Sequence, residues 1–385
     1  MTLVRPIPVV ALAVAVSTLS GCATAPKRFY TADEMRAELE ARVSTQMRDE
    51  IVIPFEIDDE IRQLAREVTE DATTDKEKVR DLVQAIIGLS DFSISNDWLS
   101  NKTAKEVFRE GKGNCLAYSN LFVGMARSVG VDAAYADVRF VERITREAEV
   151  VVRSTHITAA VRRPAGSVII DFTATPEREY VGFDIISDLE AIANIYNNQG
   201  FLYGYVTETE DVDCDPLEKE LEMDRLALEI LPTFSRARNN LGVALRRRGR
   251  VDEAIEQYKM AIEHNPKSAD AHSNLATAYL HQDRIEDALR EYRIAVKHAG
   301  RDGYVYHRLG VVYLRLGRHE EAIEQFRKAI SKEPELADAH FHLGECYRTL
   351  GNEDKAIEHF EATLEIDPNF IAARTKLDRL TEAPR

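Results

Sequence analysis

The sequence predicts two kinds of structure in one chain: an α+β domain with helices packed on an antiparallel sheet, followed by an all-α repeat solenoid. In the middle of the chain, helix signals are followed by three strand-like runs at residues 131–138, 150–161 and 166–173. From residue 233 onward, small and large residues recur every 34 residues. A length of 385 residues is enough for two or three domains.

Composition places the chain among globular proteins and argues against nucleic-acid binding. With 44% hydrophobic and 30% charged residues, it has enough apolar side chains for packed cores. Acidic residues (66) outnumber lysine and arginine (50), and no basic run offsets the net charge of −16. Four scattered cysteines without a CxxC pair predict neither a disulfide framework nor a zinc site. No glycine-rich phosphate loop indicates a bound nucleotide. We expect no metal and no cofactor.

The first 21 residues are predicted to be a signal peptide. Arg5 precedes a short apolar run at residues 9–19, which is too short to span a bilayer. The run ends in the sequence LSGC, which resembles the lipobox of bacterial lipoproteins and has Cys22 as its last residue. That resemblance implies cleavage before Cys22 and lipidation of this residue, and two or more acyl chains anchor a protein stably. Ala23 is not the aspartate that retains such enterobacterial proteins at the inner membrane, so we expect an outer-membrane anchor facing the periplasm. The alternative is an ordinary secretory signal with a chance cysteine.

Capping boxes mark three helix starts upstream of a conspicuous cysteine. Thr31, Thr74 and Thr103 are each followed three residues later by glutamate. The first of these helices is highly charged and is expected to be a spacer above the membrane. The third ends at Gly111, and an apolar helix starts at Cys115. The partial positive charge of a helix N-terminus favours a thiolate at that cysteine.

Two of the predicted strands place a histidine beside an aspartate. If residues 163–166 form the turn between the second and third strands, Arg162 pairs with Ser167. Asp171 then lies one diagonal step from His156 on the same face of the sheet. A register slip of one residue would move Asp171 to the opposite face. His156 is the only histidine before His264, so it is the only histidine partner for Cys115 within the same domain.

The order of Cys115, His156 and Asp171, on a helix start and two strands, resembles the transglutaminase-like (papain-like) cysteine superfamily. The matching segments lie at residues 103–108, 113–115 and 126–131 and around His156 and Asp171, within roughly residues 54–180. The resemblance implies acyl transfer: the Cys115 thiolate attacks an amide carbonyl, His156 moves the proton and Asp171 orients the imidazole. Water as acceptor would give hydrolysis, and an amine would give cross-linking. A domain with an inert, buried cysteine is the alternative.

The 34-residue period is carried by residues with complementary sizes. Each period has a leucine followed by glycine or alanine, then an alanine, then an aromatic residue. These are Leu241, Leu275, Leu309 and Leu343; Gly242, Ala276, Gly310 and Gly344; Ala254, Ala288, Ala322 and Ala356; and Tyr258, Tyr292, Phe326 and Phe360. The pattern resembles the tetratricopeptide repeat, which implies two antiparallel helices per repeat with small residues where the helices cross.

The domain boundaries follow from these patterns. A degenerate repeat with an acidic loop that carries Cys214 is predicted before the regular repeats, and a capping helix is predicted after Pro368. The predicted divisions are a signal peptide (1–21), a lipidated N-terminus and spacer helix (22–53), the transglutaminase-like domain (54–190), the degenerate repeat and acidic loop (191–232), four tetratricopeptide repeats (233–368), and the capping helix and tail (369–385).

Basic residues recur near the end of the first helix of each repeat, on the face that a solenoid turns to its concave surface. They are Arg246, Arg247, His281, Arg315 and Arg348. One interpretation is a groove for an acidic segment or a C-terminal carboxylate of a partner protein, since arginine matches carboxylates. The other is that these cations only offset the dipole at the helix ends.

Two functional hypotheses follow. The first is a membrane-anchored periplasmic cysteine acyl-transfer enzyme, either an amidase or protease or a cross-linking enzyme, whose repeats recruit a protein partner. The second is a non-catalytic lipoprotein scaffold whose repeats mediate protein–protein interaction in the cell envelope. The sequence specifies neither the substrate nor the oligomeric state.

Overall fold

A computed structural model describes residues 29–90, 92–94, 102–140, 145–147, 150–152, 156–163, 166–172, 180–205, 215–300 and 302–381. The chain divides into two compact units, one of the residues up to 143 with residues 153–237 and the other of residues 144–152 with residues 238–385. The predicted signal peptide, Cys22 and Cys214 lie outside the described residues. Within the described part of the chain, no helix combines the length and apolar character that a membrane span requires.

The strands, in chain order, are β1 (Ser93–Ile94), β2 (Lys112–Gly113), β3 (Ala133–Phe140), β4 (Thr145–Glu147), β5 (Val150–Val152), β6 (His156–Val161), β7 (Val168–Ile170) and β8 (Tyr180–Ile186). The helices before the repeats are α1 (Ala32–Arg42), α2 (Asp59–Val68), α3 (Asp75–Ile87), α4 (Ala104–Glu110), α5 (Cys115–Ser128), α6 (Asp188–Tyr205) and α7 (Pro216–Ile230), with a 3-10 helix at Thr45–Glu50. The later helices are α8 (Ser235–Arg247), α9 (Val251–His264), α10 (Ala269–His281), α11 (Ile285–His298), α12 (Gly303–Arg315), α13 (His319–Lys332), α14 (Ala337–Thr349), α15 (Glu353–Ile366) and α16 (Ile371–Thr381).

The first unit has the predicted α+β character. Its sheet has the strand order β7-β6-β3-β8, and every neighbouring pair is antiparallel. Helix α5 packs in the same hydrophobic core as this sheet, and all of its residues from Leu116 to Ala126 are buried. The helix also crosses the segment before α2 very closely, since a Cβ at Gly124 would lie 2.5 Å from the Phe55 carbonyl oxygen. The site cysteine is therefore carried by the most enclosed helix of the unit's core.

Most local predictions for this unit are confirmed. Capping boxes begin α1, α3 and α4, and Gly111 ends α4 in the left-handed conformation. Strand β8, the edge strand beside β3, was not predicted from its mixed run YVGFDII. The helix expected to be a spacer, α1, also differs from the expectation: Met35 and Leu39 are fully buried in the core of this unit. Two buried apolar residues in a highly charged helix form too short a pattern for the buried face to be recognised from the sequence.

A buried ion pair fixes the end of α5. The Arg127 guanidinium donates to both carboxylate oxygens of Asp188, at 2.9 and 2.7 Å. Asp188 is fully buried at the start of α6 and also accepts a hydrogen bond from the Tyr30 backbone N–H at 2.9 Å. Arg127 further lies over the Phe55 ring, 4.9 Å from its centroid. This pair joins α5, α6 and the segment before α1.

Helices α6 and α7 occupy the region predicted to be a degenerate repeat. They pack against each other, and a Cβ at Gly200 would lie 3.0 Å from the Glu220 carbonyl oxygen. A small residue at a helix crossing is the feature that the regular repeats share. Part of the predicted acidic loop, residues 206–214, lies outside the described residues.

The second unit consists mainly of the repeat helices α8–α15, followed by α16 at the predicted position of the capping helix. In the three repeats whose first helix has a glycine at this position, the aromatic residue of the second helix packs directly against it. A Cβ at Gly310 would lie 2.5 Å from the Phe326 ring, and one at Gly344 would lie 2.8 Å from the Phe360 ring. The predicted fold class, an α+β domain followed by a helical solenoid, is confirmed.

The ion pair predicts an unequal response to two aspartate substitutions in the first unit. Asp188→Ala leaves the Arg127 guanidinium largely buried without its carboxylate, which costs about 3–5 kcal/mol when one partner of a buried pair is removed. Asp59→Ala removes a fully exposed partner of Arg62 and should change stability little, because solvent screens such pairs. The free energy of opening is measured from hydrogen exchange of the α5 amides in the full chain. Equal, small effects of both substitutions would contradict the assigned role of the pair.

Candidate active site

The loop before Cys115 is held on several sides. Strand β2, residues 112–113, pairs in parallel with β1. The Tyr118 hydroxyl, one turn into α5, donates toward the Gly111 carbonyl oxygen at 2.6 Å and lies 3.1 Å from that of Ser93. Burial raises the pKa of Tyr118, so its hydroxyl stays protonated and serves as a donor. The loop and the first turn of α5 thus form one fixed element.

Gly113 and Asn114 set the position of the helix start. A Cβ at Gly113 would lie 2.7 Å from the Val107 side chain, so only glycine lets the loop pass this close to α4. The Asn114 side chain accepts the Ala117 N–H at 2.9 Å and caps α5. Cys115 is consequently the first residue of the helix, and it is partly exposed. The predicted position of the cysteine at the N-terminus of a buried helix is confirmed.

The register of the two candidate strands is also confirmed. Ala159 pairs with Ile170 and Val161 with Val168, the register in which Arg162 would pair with Ser167. Position 156 begins β6 and pairs with Val138 of β3. Asp171 directly follows β7 and is 7% exposed. Continued beyond the observed pairs, this register gives positions 156 and 171 the diagonal relation that the sequence predicts. The triad itself stays a prediction.

The first turn of α5 touches β6 through two hydroxyl groups that the sequence analysis did not identify. Ser119 lies one turn after Cys115, and Thr158 lies two residues after His156. Their hydroxyl oxygens are 3.3 Å apart, and both side chains are fully buried. Ser119 donates to the Cys115 carbonyl oxygen at 2.8 Å, and Thr158 donates to the Ile170 carbonyl oxygen at 2.7 Å. The spacings i+4 on a helix and i+2 on a strand from the predicted site residues would have indicated these positions.

Aromatic packing fixes the end of β7 against the same helix. The Phe172 ring lies 5.8 Å from the Tyr118 ring and 6.4 Å from the Phe122 ring, measured between centroids. Because Phe172 is adjacent to Asp171, this cluster fixes the backbone that carries the carboxylate. The elements that carry Cys115, His156 and Asp171 thus meet at one end of α5.

The second described cysteine has a different environment. Cys346 lies within α14 and is fully buried. Burial, with a smaller contribution from the neighbouring Glu345 carboxylate, raises the pKa of its thiol to about 12. Cys346 is therefore unreactive as a nucleophile at neutral pH.

The basic residues predicted to bind a partner all lie in the last turn of a first helix of a repeat. Arg246 and Arg247 end α8, His281 ends α10, Arg315 ends α12, and Arg348 lies in the last turn of α14. The structure brings Arg246 and His281 together, with Nη1 and Nε2 3.3 Å apart, so two successive repeats share a basic site. The side chain of Arg348 instead pairs with Glu345 in its own helix at 3.1 Å. Arg315 is exposed. Because all five are at helix ends, dipole compensation accounts for their recurrence as well as partner binding does.

The histidines of the last repeats form pairs. His342 Nδ1 lies 3.2 Å from His307 Nε2, while the His340 ring lies 5.6 Å from the ring of His359. Burial and the neighbouring His340 lower the pKa of His359. Within the described part of the chain, no three histidine, cysteine or carboxylate side chains gather closely enough to hold a metal ion.

Comparison with known proteins identifies both parts of the chain. The family model of the transglutaminase-like superfamily matches residues 62–178, which include Cys115, His156 and Asp171. Tetratricopeptide-repeat models match residues 242–283, 267–332 and 307–369. No curated protein matches the chain.

Several solved structures are similar to the repeat-containing part. MamA is 25% identical over 41% of this chain and 92% of its own, with a TM-score of 0.38. YrrB, described as a TPR protein with an unusual peptide-binding site, is 24% identical over 48% of this chain and 91% of its own, with a TM-score of 0.39. PilF of Pseudomonas aeruginosa is 18% identical over 49% of this chain and 84% of its own, with a TM-score of 0.45. The matches to the family models, rather than these structures, identify a transglutaminase-like domain followed by tetratricopeptide repeats.

Proposed function

We propose that the protein is a cysteine acyl-transfer enzyme with Cys115 as nucleophile, His156 as general base and acid, and Asp171 as the residue that orients the imidazole. One observation carries the proposal. A partly exposed cysteine begins a buried helix, and the first turn of that helix contacts β6 two residues from His156. The confirmed register of β6 and β7 supports the assignment of Asp171, and the matched family model covers all three residues.

The proposed reaction has two steps. His156 takes the thiol proton, and the Cys115 sulfur attacks the carbonyl carbon of an amide. The carbon–nitrogen bond then breaks, the proton passes from His156 to the leaving amine, and a thioester remains on Cys115. Water or a second amine attacks the thioester, gives its proton to His156 and releases the thiolate. Water gives an amidase or protease, and an amine gives protein cross-linking.

The start of α5 suits the charge that develops in this reaction. N–H groups in the first turn of a helix have no acceptor within the helix. They are donors for a carbonyl oxygen that becomes negative in the tetrahedral intermediate. The Cys115 backbone N–H is the proposed first donor, and the helix dipole favours both the thiolate and this oxyanion.

The repeats are proposed to recruit a protein or peptide, either the substrate or another partner. Tetratricopeptide repeats support protein interaction in general, and the shared site of Arg246 and His281 favours a segment with carboxylates. If the transglutaminase-like domain has no turnover, the repeats alone define the function, and the protein is a scaffold.

We further propose that the protein is a lipoprotein anchored through Cys22, at the outer membrane and facing the periplasm. The apolar run and the LSGC sequence support this proposal. An anchor at the membrane would hold the cysteine domain and the repeats close to envelope proteins.

The first test of the proposed function is turnover by the full chain and by Cys115→Ala. The substrates are dimethylcasein with a fluorescent primary amine, for cross-linking, and a pool of quenched fluorescent peptides, for hydrolysis. We expect one of the two activities in the wild type and a loss of about 1000-fold or more in Cys115→Ala, because the nucleophile is removed.

Cys346→Ala is the matched control, because it removes an unreactive thiol from the other unit and should keep the activity. Turnover that persists in Cys115→Ala would contradict the proposal. No turnover in any variant, together with capture of the same partner proteins by wild type and Cys115→Ala, would favour the scaffold.

The second test concerns the anchor. Expressed in a bacterium with two membranes, the wild type should fractionate with membranes, and Cys22→Ser should be released in soluble form, since the acyl chains are lost. Cys214→Ser is the control and should stay with membranes. Mass spectrometry of the N-terminal peptide should find acyl chains on residue 22 of the wild type. A wild-type peptide that is cleaved elsewhere and carries no lipid would contradict the proposal.

A further inference from the structure

We infer that Thr158, together with Ser119, positions the reactive groups of this site: the two hydroxyls set the distance between the start of α5 and the two strands that carry His156 and Asp171. The inference rests on the proposed function. Thr158 touches none of the reacting atoms in this account, so it is a positioning residue. Its role is to fix β6 against the turn of α5 that begins with the nucleophile.

The hydrogen bonds of the pair connect three segments. On one side, Ser119 lies 2.8 Å from the Cys115 carbonyl oxygen in the first turn of α5. On the other side, Thr158 donates at 2.7 Å to the Ile170 carbonyl oxygen, which belongs to the peptide group before Asp171. The 3.3 Å contact between the hydroxyls closes the chain. These hydrogen bonds therefore lie close to all three predicted site residues. Cys115 supplies one acceptor, His156 is two residues before Thr158, and Asp171 follows Ile170.

Counting protons gives the direction of each bond. Each hydroxyl has one proton, and the short bond to Ile170 uses that of Thr158. The contact between the hydroxyls therefore uses the Ser119 proton. Ser119 donates this proton in a three-centre hydrogen bond to two acceptors, the Cys115 carbonyl oxygen and the Thr158 hydroxyl oxygen. Thr158 accepts from α5 and donates to β7 at the same time, and its removal breaks both connections. Loss of the Ser119 hydroxyl breaks only the connection to α5, because the bond from Thr158 to β7 remains. It is therefore less disruptive than loss of the Thr158 hydroxyl.

Burial means that no other group can replace either hydroxyl in these hydrogen bonds. Both side chains are fully buried, so water does not replace a lost hydroxyl. A buried group that loses its partner costs about 1–3 kcal/mol, and α5 and β6 must shift to recover it. A shift of that kind changes the separation of the Cys115 and His156 positions. An ordinary core threonine would affect stability alone, whereas a positioning threonine also affects the reactivity of the thiol.

The test is the rate of Cys115 alkylation by iodoacetamide across pH 5–9 in the full chain, with Cys115 followed by peptide mass spectrometry. In Thr158→Val, which keeps the shape and removes the hydroxyl, the rate at pH 6.5 should fall about threefold to tenfold and the profile should move toward higher pH. Thr158→Ser restores the hydroxyl and should stay within about twofold of the wild type. Thr69→Val is the matched control. Its hydroxyl also donates to a backbone carbonyl within the first unit, that of Ala65 at 2.7 Å, and its loss should leave the profile unchanged.

Circular dichroism at each pH establishes that the variants are folded. If Thr158→Val is unfolded, Ser119→Ala replaces it, and the rate at pH 6.5 should then fall about threefold, beyond the range accepted for Thr158→Ser. An unchanged profile in the folded variant, beside a wild type that reacts at low pH, would overturn the inference and leave the proposed function intact. A wild type that reacts as an ordinary thiol, with a profile midpoint of about 8.5, would overturn both.

Discussion

The burial of α5 is the constraint on which the first unit depends. Eleven successive residues of this helix are enclosed, so its position is set on every side by the sheet, by α4 and by the segment around Phe55. The ion pair of Arg127 and Asp188 fixes its end, and the capped loop around Asn114 fixes its start. A helix held at both ends gives its first residue, Cys115, a defined position at the positive end of the dipole. The same arrangement leaves that residue partly exposed, which a nucleophile requires.

Much of this site could be predicted from the sequence because local rules determine it. Capping boxes mark the helix starts, and the predicted pairing of Arg162 with Ser167 has the same register as the observed pairs between β6 and β7. What could not be predicted depends on packing between distant segments. The contact of Ser119 with Thr158 joins residues 39 apart, and no local pattern encodes such a pair. Strand β8 was missed for a related reason, since an edge strand is stabilised by its neighbour rather than by its own alternation.

The fold of the repeat part is easier to predict, because its packing positions recur every 34 residues. A glycine below an aromatic ring, as with Gly310 and Phe326, is sufficient to set how closely two helices cross. Periodicity therefore predicts the fold of the solenoid but not its ligand. Helix packing constrains the buried residues of each repeat, whereas it does not constrain the surface residues that would contact a ligand. The basic residues that end the first helices are an example. Among them, Arg246 and His281 come from two successive repeats and contact each other.

The proposed proton transfer from Cys115 to His156 is tested most directly by the ultraviolet absorbance of the thiolate as a function of pH. The difference between wild type and Cys115→Ser isolates this thiol, and Cys346 cannot interfere because the pKa of its buried thiol is about 12. If His156 takes the thiol proton, the thiolate absorbance of Cys115 is present well below pH 7 in the wild type and is lost at that pH when the comparison is repeated in a His156→Ala background. A Cys115 thiol that titrates at about 8.5 in both backgrounds would contradict it.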